Sequence, residues 1–321
     1  MDIFRKLEIS AKRKKKTIVL PESYDPRVIE AAKLILKKNT ARVIMINTGK
    51  SIKLPENKNL DIIDISFSKQ FAAEYLKLRK NKEPELTLND AEKRLTDPLT
   101  FSCLLLKNKF ADAVVAGSVY STGNVLRTAI QTIGLSKGNK TVSSFFLMSF
   151  PKNHKLAGRT LAFADCGVLP DPAAEQLSDI AIQTSKNFFR LTGIKPKTAF
   201  LSFSTKGSSK DDSTGKVLKA LKHTQKREPS LVCDGEMQFD TAFVPEVAQR
   251  KDPGGRLKGG ANVFIFPDLN SGNIAYKITE RIGGAVAAGP IVQGLAQPVM
   301  DLSRGCSPQD IYNMCLIASM F

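Results

Sequence analysis

Residues 17–47 read TIVLPESYDPRVIEAAKLILKKNTARVIMIN, and the order of apolar runs in that stretch decides the fold class. Thr17-Ile18-Val19-Leu20 is a short continuous apolar run, as a buried strand requires. Asp25-Pro26-Arg27 then opens a helix. Asp25 is a good N-cap, and Pro26 falls on the first helical position, where its missing N–H costs nothing. Val28, Ile29, Ala32, Ile35 and Leu36 recur at helical spacing and give that helix one apolar face. Val43-Ile44-Met45-Ile46 is the next strand. Two largely apolar strands flanking an amphipathic helix predict a parallel sheet covered on both faces.

Working outward, the same rhythm continues. Ile62-Ile63-Asp64-Ile65 reads as a strand, followed by helices over 70–81 and 88–95. A helix after Pro98 carries Phe101, Leu104, Leu105 and Phe110; Ala113 to Ala116 is a strand, and Val125 to Ile133 a helix. From residue 142 the texture changes. Val142 to Phe150 and Arg159 to Ala164 are strands joined by the polar turn PKNHKLAG, an antiparallel pair. Pro172 opens a long helix with Leu177, Ile180, Ala181, Phe188 and Leu191 on one side and Gly193 as its C′ residue. Further strands are expected at Ala199 to Phe203, Leu231 to Cys233 and Val263 to Phe266, with Lys251 to Gly260 as a flexible loop. Ser307-Pro308-Gln309-Asp310 is a helix start, with Ser307 as N-cap and Asp310 as the acidic member of a capping box.

The totals narrow the class. A chain of 321 residues with 42% apolar content fits two domains of roughly 150 residues each. No stretch approaches the ~18 uninterrupted apolar residues of a membrane helix, and MDIFRKLEISAKRKKK has no apolar run of signal-peptide length, so no membrane role and a cytoplasmic location are expected. Five scattered cysteines without a C-x-x-C argue against a disulfide framework and a zinc site and read as buried packing residues, with a catalytic thiol as the alternative; two histidines exclude a three-histidine metal centre. The formal charge of +17 invites a nucleic-acid reading. The distribution opposes it: Lys12 to Lys16 is the one dense basic run, and 7% aromatics without tryptophan offer no stacking platform. A lysine-biased surface would still favour polyanionic small substrates.

Nucleotide fingerprints fail. Gly207 and Gly215-Lys216 lie eight residues apart rather than five, Val217 follows the lysine, and no G-x-G-x-x-G follows a strand. Two loops rich in glycine and hydroxyls stand out instead: Gly117 to Gly123, with Ser121, Thr122 and Gly123, and Ser202 to Ser209, with Ser204, Thr205 and Lys206. Such loops can turn successive N–H groups toward an anion, or serve only as strand–helix connections.

The segment GPIVQGLAQP from Gly289 to Pro298, running on to Asp301-Leu302-Ser303-Arg304-Gly305, resembles the C-terminal signature G-P-x-x-Q-G-L-x-x-P-V-x-D-L-S-R-G of the phosphate acetyl/butyryltransferase family. Phe163 to Cys166, Ala174 to Ala181, Leu201 to Gly207, Asp234 to Asp240 and Ala261 to Asn273 resemble further family stretches, so the likeness covers nearly the whole chain and its short, single-module form. The resemblance implies two α/β domains with a cleft between them, similar to isocitrate and isopropylmalate dehydrogenases. The first would take residues 1–143 and 295–321. The second would take 144–294 and carry the contact of a homodimer. It implies acetyl transfer between coenzyme A and inorganic phosphate, giving acetyl phosphate, with acetyl-CoA as substrate and no tightly bound cofactor. It also implies a functional link to an acetate kinase.

The family's catalytic residues fall on Ser303, Arg304 and Asp310, and its coenzyme A-contacting arginines on Arg79 and Arg127. Asp310 is then the expected base for the thiol, Ser303 the residue that orients the reacting groups, and Arg304 the oxyanion stabiliser. Tyr120 departs from a frequent histidine, Val286 from an acidic residue and Met300 from asparagine. A butyryl-transferring enzyme, a metal-dependent dehydrogenase of related fold and a basic nucleic-acid-binding protein are the rival readings.

Overall fold

The structure is a computed structural model that describes residues 3–49, 52, 54–209 and 211–321. From the N-terminus run α1 (Ile3–Lys14), β1 (Thr17–Leu20), α2 (Pro26–Lys38), β2 (Arg42–Asn47) and β3 (Leu60–Asp64). A 3-10 segment (Ile65–Phe71) leads to α3 (Ala72–Arg79), α4 (Leu88–Leu95), α5 (Pro98–Lys107), β4 (Ala113–Ala116) and α6 (Thr122–Thr132). The middle of the chain holds β5 (Ser143–Ser149), β6 (Thr160–Ala164), α7 (Ala174–Thr192), β7 (Lys197–Leu201), α8 (Asp212–Arg227) and β8 (Val232–Met237). It continues through α9 (Phe239–Phe243), α10 (Pro245–Lys251), β9 (Val263–Ile265), α11 (Leu269–Arg281) and β10 (Val286–Gln293). Then β11 (Val299–Asp301) and α12 (Pro308–Ala318) close the chain.

Two compact units result. One comprises Phe4–Lys137 with Leu295–Phe321, the other Gly138–Gly294. Residues 138–143, expected with the first domain, group with the second, where Ser143 already pairs with Gln293 in the sheet.

The first unit holds a five-stranded sheet in the order β11-β4-β1-β2-β3, parallel throughout. The opening stretch behaves as its pattern demands. Asp25 caps α2 by accepting from the Arg27 amide, and Val28, Ala31, Ala32, Ile35 and Leu36 are buried. Each large side chain among them is worth about 1.5–3 kcal/mol. Val19, Ile44, Val114, Val125 and Val299 join Phe101 and Leu105 in one core. The helix expected over 70–81 is shorter: a 3-10 turn replaces its beginning, and α3 ends at Arg79.

The second unit holds a six-stranded mixed sheet in the order β10-β5-β6-β9-β7-β8. β5 pairs antiparallel with β6 and with β10, while β6, β9, β7 and β8 run parallel. Its core is rich in phenylalanine, with Phe146, Phe163, Phe264 and Phe266 buried together. α7 starts at Ala174, two residues after the expected Pro172, and ends on Gly193 with φ 71°, the left-handed conformation that glycine adopts without a Cβ clash. The Lys251–Gly260 stretch, expected to be flexible, is anchored: Leu257 is buried and the Arg256 amide donates to Asp234 Oδ2 at 2.9 Å. Among the described residues no helix is long and apolar enough to cross a membrane.

Candidate active site

In the first unit the loops leaving β1, β4 and β11 meet beyond the C-terminal ends of three adjacent parallel strands, the place where open α/β sheets bind ligands. Two charged side chains tie these loops together. Glu22, buried just past β1, accepts the amides of Gly117 (2.9 Å) and Ser118 (3.0 Å) and the Ser118 hydroxyl (2.9 Å) on Oε2. Its Oε1 accepts the amides of Val119 (2.6 Å) and Tyr120 (2.7 Å). Arg27, in the first turn of α2, donates to Ser118 O (2.8 Å), Arg304 O (2.6 Å) and Cys306 O (3.2 Å) while pairing with Asp25 at 2.7 Å. Burial alone would raise the Asp25 carboxyl; the bonds from Arg27 and Ser118 outweigh it and hold Asp25 below the ordinary carboxylate range.

Of the expected catalytic residues, Ser303 and Arg304 stand on the third of these loops and Asp310 in the first turn of the helix that follows it, α12. Ser303 and Arg304 are exposed, and the Arg304 side chain has no ion pair among the described residues. Ser303 Oγ accepts the Gly305 amide at 3.2 Å. Asp310 occupies N3 of α12 and completes the capping box: its Oδ2 accepts the Ser307 amide (2.9 Å) and hydroxyl (2.8 Å). One oxygen therefore serves the helix, and the carboxylate as a whole remains exposed. Burial pushes the Cys306 thiol beside them up to about 11, which disfavours its thiolate form.

The first hydroxyl-rich loop proves to be a cradle whose anion is internal. Its four amides from Gly117 to Tyr120 point at Glu22. Ser121, Thr122 and Gly123 lie beyond that clamp and open α6. Ser121 caps the helix by accepting the Asn124 amide, and Thr122 Oγ1 donates to Asp301 Oδ2 at 2.7 Å. With the Asn124 amide taken by Ser121, the Thr122 and Gly123 amides have no intrahelical acceptor and leave a helix N-terminus suited to an anion. Arg127, exposed one turn further along α6, has no ion pair among the described residues. Arg79 differs. It is 6% exposed, pairs with Glu83, and donates to Gln131 O at 3.3 Å. The Tyr120 phenol donates to Asp97 Oδ1 at 2.5 Å, and burial pushes that phenol far up.

The second hydroxyl-rich loop, in the other unit, repeats the internal solution. Glu236 Oε1 accepts the Gly207 amide (2.7 Å) and the Ser204 hydroxyl (3.0 Å). Thr205 Oγ1 accepts the Gln238 amide at 3.0 Å, and Lys206 pairs with Asp234. The structure thus spends Ser204, Thr205 and Lys206 on contacts within their own unit. Sequence reasoning missed Glu22, Arg27 and Asp301 as members of the first constellation. The signal available was charge at the strand-to-helix connections: Glu22 within one, Arg27 in the helical turn that follows it, and Asp301 at the last residue of a strand.

A family model described as phosphate acetyl/butaryl transferase matches residues 2–319, which include all three loops. The chain belongs to the phosphate acetyl/butaryl transferase family. A phosphate acetyltransferase of Acetivibrio thermocellus is 46% identical over 317 residues, covering 97% of this chain and 95% of that relative. Among solved structures, the EutD phosphotransacetylase of Staphylococcus aureus superposes with a TM-score of 0.89 at 35% identity, covering 99% of this chain and 97% of its own. A phosphotransacetylase of Streptococcus pyogenes gives a TM-score of 0.88 at 37% identity, with 98% of each chain covered. Both units of this transferase therefore have the family's α/β fold. Among its described residues, no group of three or more His, Cys, Asp and Glu is placed to hold a metal ion.

Proposed function

We propose that this chain is a phosphate acetyltransferase, catalysing acetyl-CoA + phosphate = CoA + acetyl phosphate. The observation that carries the reading is the family's S-R-G loop and following aspartate, intact and exposed at the strand ends, in a chain similar from end to end to phosphate acetyltransferases. Asp310 accepts the proton of the coenzyme A thiol, Ser303 orients the reacting groups, and Arg304 stabilises the oxyanion as thiolate attacks the acetyl carbonyl. An ordinary thiol near 8.5 and an aspartate near 3.9 are mismatched by roughly 6 kcal/mol. Substrate covering the exposed Asp310 and the Arg304 charge near the thiol narrow that gap.

The first turn of α6, with Ser121, Thr122, Gly123 and Arg127, takes a phosphate group of the substrates. Ser204, Thr205 and Lys206 shape a loop of the second unit in this reading. Arg127→Ala is expected to raise the KM for coenzyme A more than it lowers kcat. Arg79→Ala is expected chiefly to lower the melting temperature, because the Arg79 guanidinium is committed to Glu83 and Gln131.

The test is thiol release from acetyl-CoA with and without inorganic phosphate. Rapid phosphate-dependent release supports the reading; a folded protein inert with both acetyl- and butyryl-CoA overturns it. Faster turnover of butyryl-CoA would favour the longer-chain reaction that the family name also covers.

A homodimer fits the second unit. Ile274, Ile278 and Ile282, four residues apart, are 56%, 52% and 84% exposed, and Val286 on the edge strand β10 is 46% exposed. An apolar stripe of that kind marks an interface. Ile278→Glu is expected to shift the sedimentation coefficient to that of a monomer; unchanged sedimentation would remove this surface from consideration. Five buried, unpaired cysteines suit a reducing cytoplasm. An enzyme that consumes acetyl phosphate, such as an acetate kinase, is the functional partner this reaction calls for.

A further inference from the structure

Asp301 ends β11, two residues before Ser303, and sits beside Ala116 in the parallel register with β4. Its side chain is buried, 1% exposed. Oδ2 accepts the Thr122 hydroxyl at 2.7 Å, whereas Oδ1 has no hydrogen-bond partner among the described residues. The site is built for this carboxyl. A Cβ on Gly117 would lie 2.5 Å from Asp301 Oδ1 and 2.7 Å from the Leu302 amide nitrogen, and Gly117 has φ 109°. Two buried carboxyls therefore press on the β4–α6 loop. Glu22 takes five donors there, while Asp301 takes one side-chain donor.

We propose that Asp301 and Thr122 form a proton-dependent pair in which Asp301 decides whether the Thr122 hydroxyl can donate to a substrate phosphoryl oxygen. The inference rests on the reading of the first turn of α6 as a phosphate contact. A threonine hydroxyl has one hydrogen to give. With Asp301 ionised, that hydrogen goes to Oδ2, and Thr122 presents only lone pairs to an incoming anion. With Asp301 protonated, the carboxyl O–H donates to Thr122 Oγ1, and the threonine hydrogen is free to turn to the phosphoryl oxygen. The proton is exchanged with solvent, and no bond to substrate forms or breaks. Asp301 acts through Thr122 and is a positioning residue.

Burial, more than any neighbouring charge, brings the change near neutral pH. Burial pushes the Asp301 carboxyl up to about 7; the Thr122 bond opposes this, the charge of Glu22 adds to it, and the Leu302 amide opposes it. The other titratable or charged groups on the neighbouring loops and helix starts are Tyr24, Arg27 paired with Asp25, Tyr120 bonded to Asp97, the exposed Arg304, the Cys306 thiol, Asp310 in the first turn of α12 and Arg127 one turn into α6.

The experiment measures KM for acetyl phosphate from pH 6 to 8 in the wild type, Asp301→Asn, Thr122→Val and Thr122→Ser. The ligand's own ionisation is common to all four proteins, so the comparison is between proteins at each pH. Losing one hydrogen bond to a charged group is expected to raise the wild-type KM by about tenfold across that range. Asp301→Asn, whose amide nitrogen donates to Thr122 at every pH as the acid form does, should keep a low KM across the range. Thr122→Val should show a raised KM at every pH, and Thr122→Ser should reproduce the wild type. If Asp301→Asn follows the wild-type curve, or Thr122→Ser loses it, the proposal is overturned while the phosphate contact stands. If Thr122→Val matches the wild type at every pH, Thr122 does not touch phosphate: the proposal is overturned, and the phosphate contact loses Thr122.

Discussion

Asp310→Asn is expected to lower kcat by about 10²–10⁴-fold, the range contributed by a positioned general base, while leaving the fold intact. The structure explains why the two effects separate. The capping bonds from Ser307 fall on a single carboxylate oxygen, and an asparagine side chain offers an oxygen in the same place. What the helix loses is a negative charge near its N-terminus, worth about 0.3–1 kcal/mol. Asp310→Ala should show the same loss of kcat with about 1 kcal/mol of cap stability lost besides. A second signature tests the role of the base itself. Without Asp310 the thiolate must come from solution, so the residual rate should climb about tenfold per pH unit up to the thiol's ~8.5. Steady-state rates from pH 6 to 9 check this. A variant with near-wild-type kcat would move the base elsewhere.

Glu22→Ala is expected to be the most destabilising single change near the site. It leaves four amides and the Ser118 hydroxyl without their acceptor in a buried position. Breaking a buried charged network of this kind costs about 3–5 kcal/mol. At about 2–4 °C per kcal/mol for a unit of this size, the melting temperature should fall by about 10 °C. Glu22→Gln should recover little, because its amide nitrogen must face donors whichever way it is turned. Activity should fall as well, since the same loop leads into Ser121 and Thr122. A thermal melt of Glu22→Ala within about 2 °C of the wild type would show that the loop holds its shape without the carboxylate.

The two hydroxyl-rich loops show where sequence reading stops. Gly117 to Gly123 and Ser202 to Ser209 carry the composition of an anion cradle; the first turns four amides on a carboxylate, and the second one amide and a hydroxyl. In both cases the anion is a glutamate of the protein, Glu22 or Glu236. Glu22 lies 95 residues before Gly117 in the chain, so local composition cannot tell an internal carboxylate from a substrate phosphate. Elements escaped for related reasons. β10 contains Gly289-Pro290, a dipeptide that by itself signals a turn, and β11 is three residues long. α11 turns its isoleucines outward, so its apolar face does not mark a core.

What the sequence determined by itself was local or periodic. The apolar runs of residues 17–47 set a parallel α/β unit, the Ser307 capping box set the start of α12, and the long signature through Ser303, Arg304 and Asp310 marked the family. Tertiary structure alone decided which charges meet. It put Glu22 and Asp301 against one loop, spread Arg27 across Ser118, Arg304 and Cys306, and committed Arg79 to Glu83 while leaving Arg127 exposed. Periodicity records which side of an element is buried, because burial acts on each residue separately. Hydrogen bonds and charge pairs depend on distances between residues far apart in the chain, and those distances exist only once the strands have taken their order in the sheet.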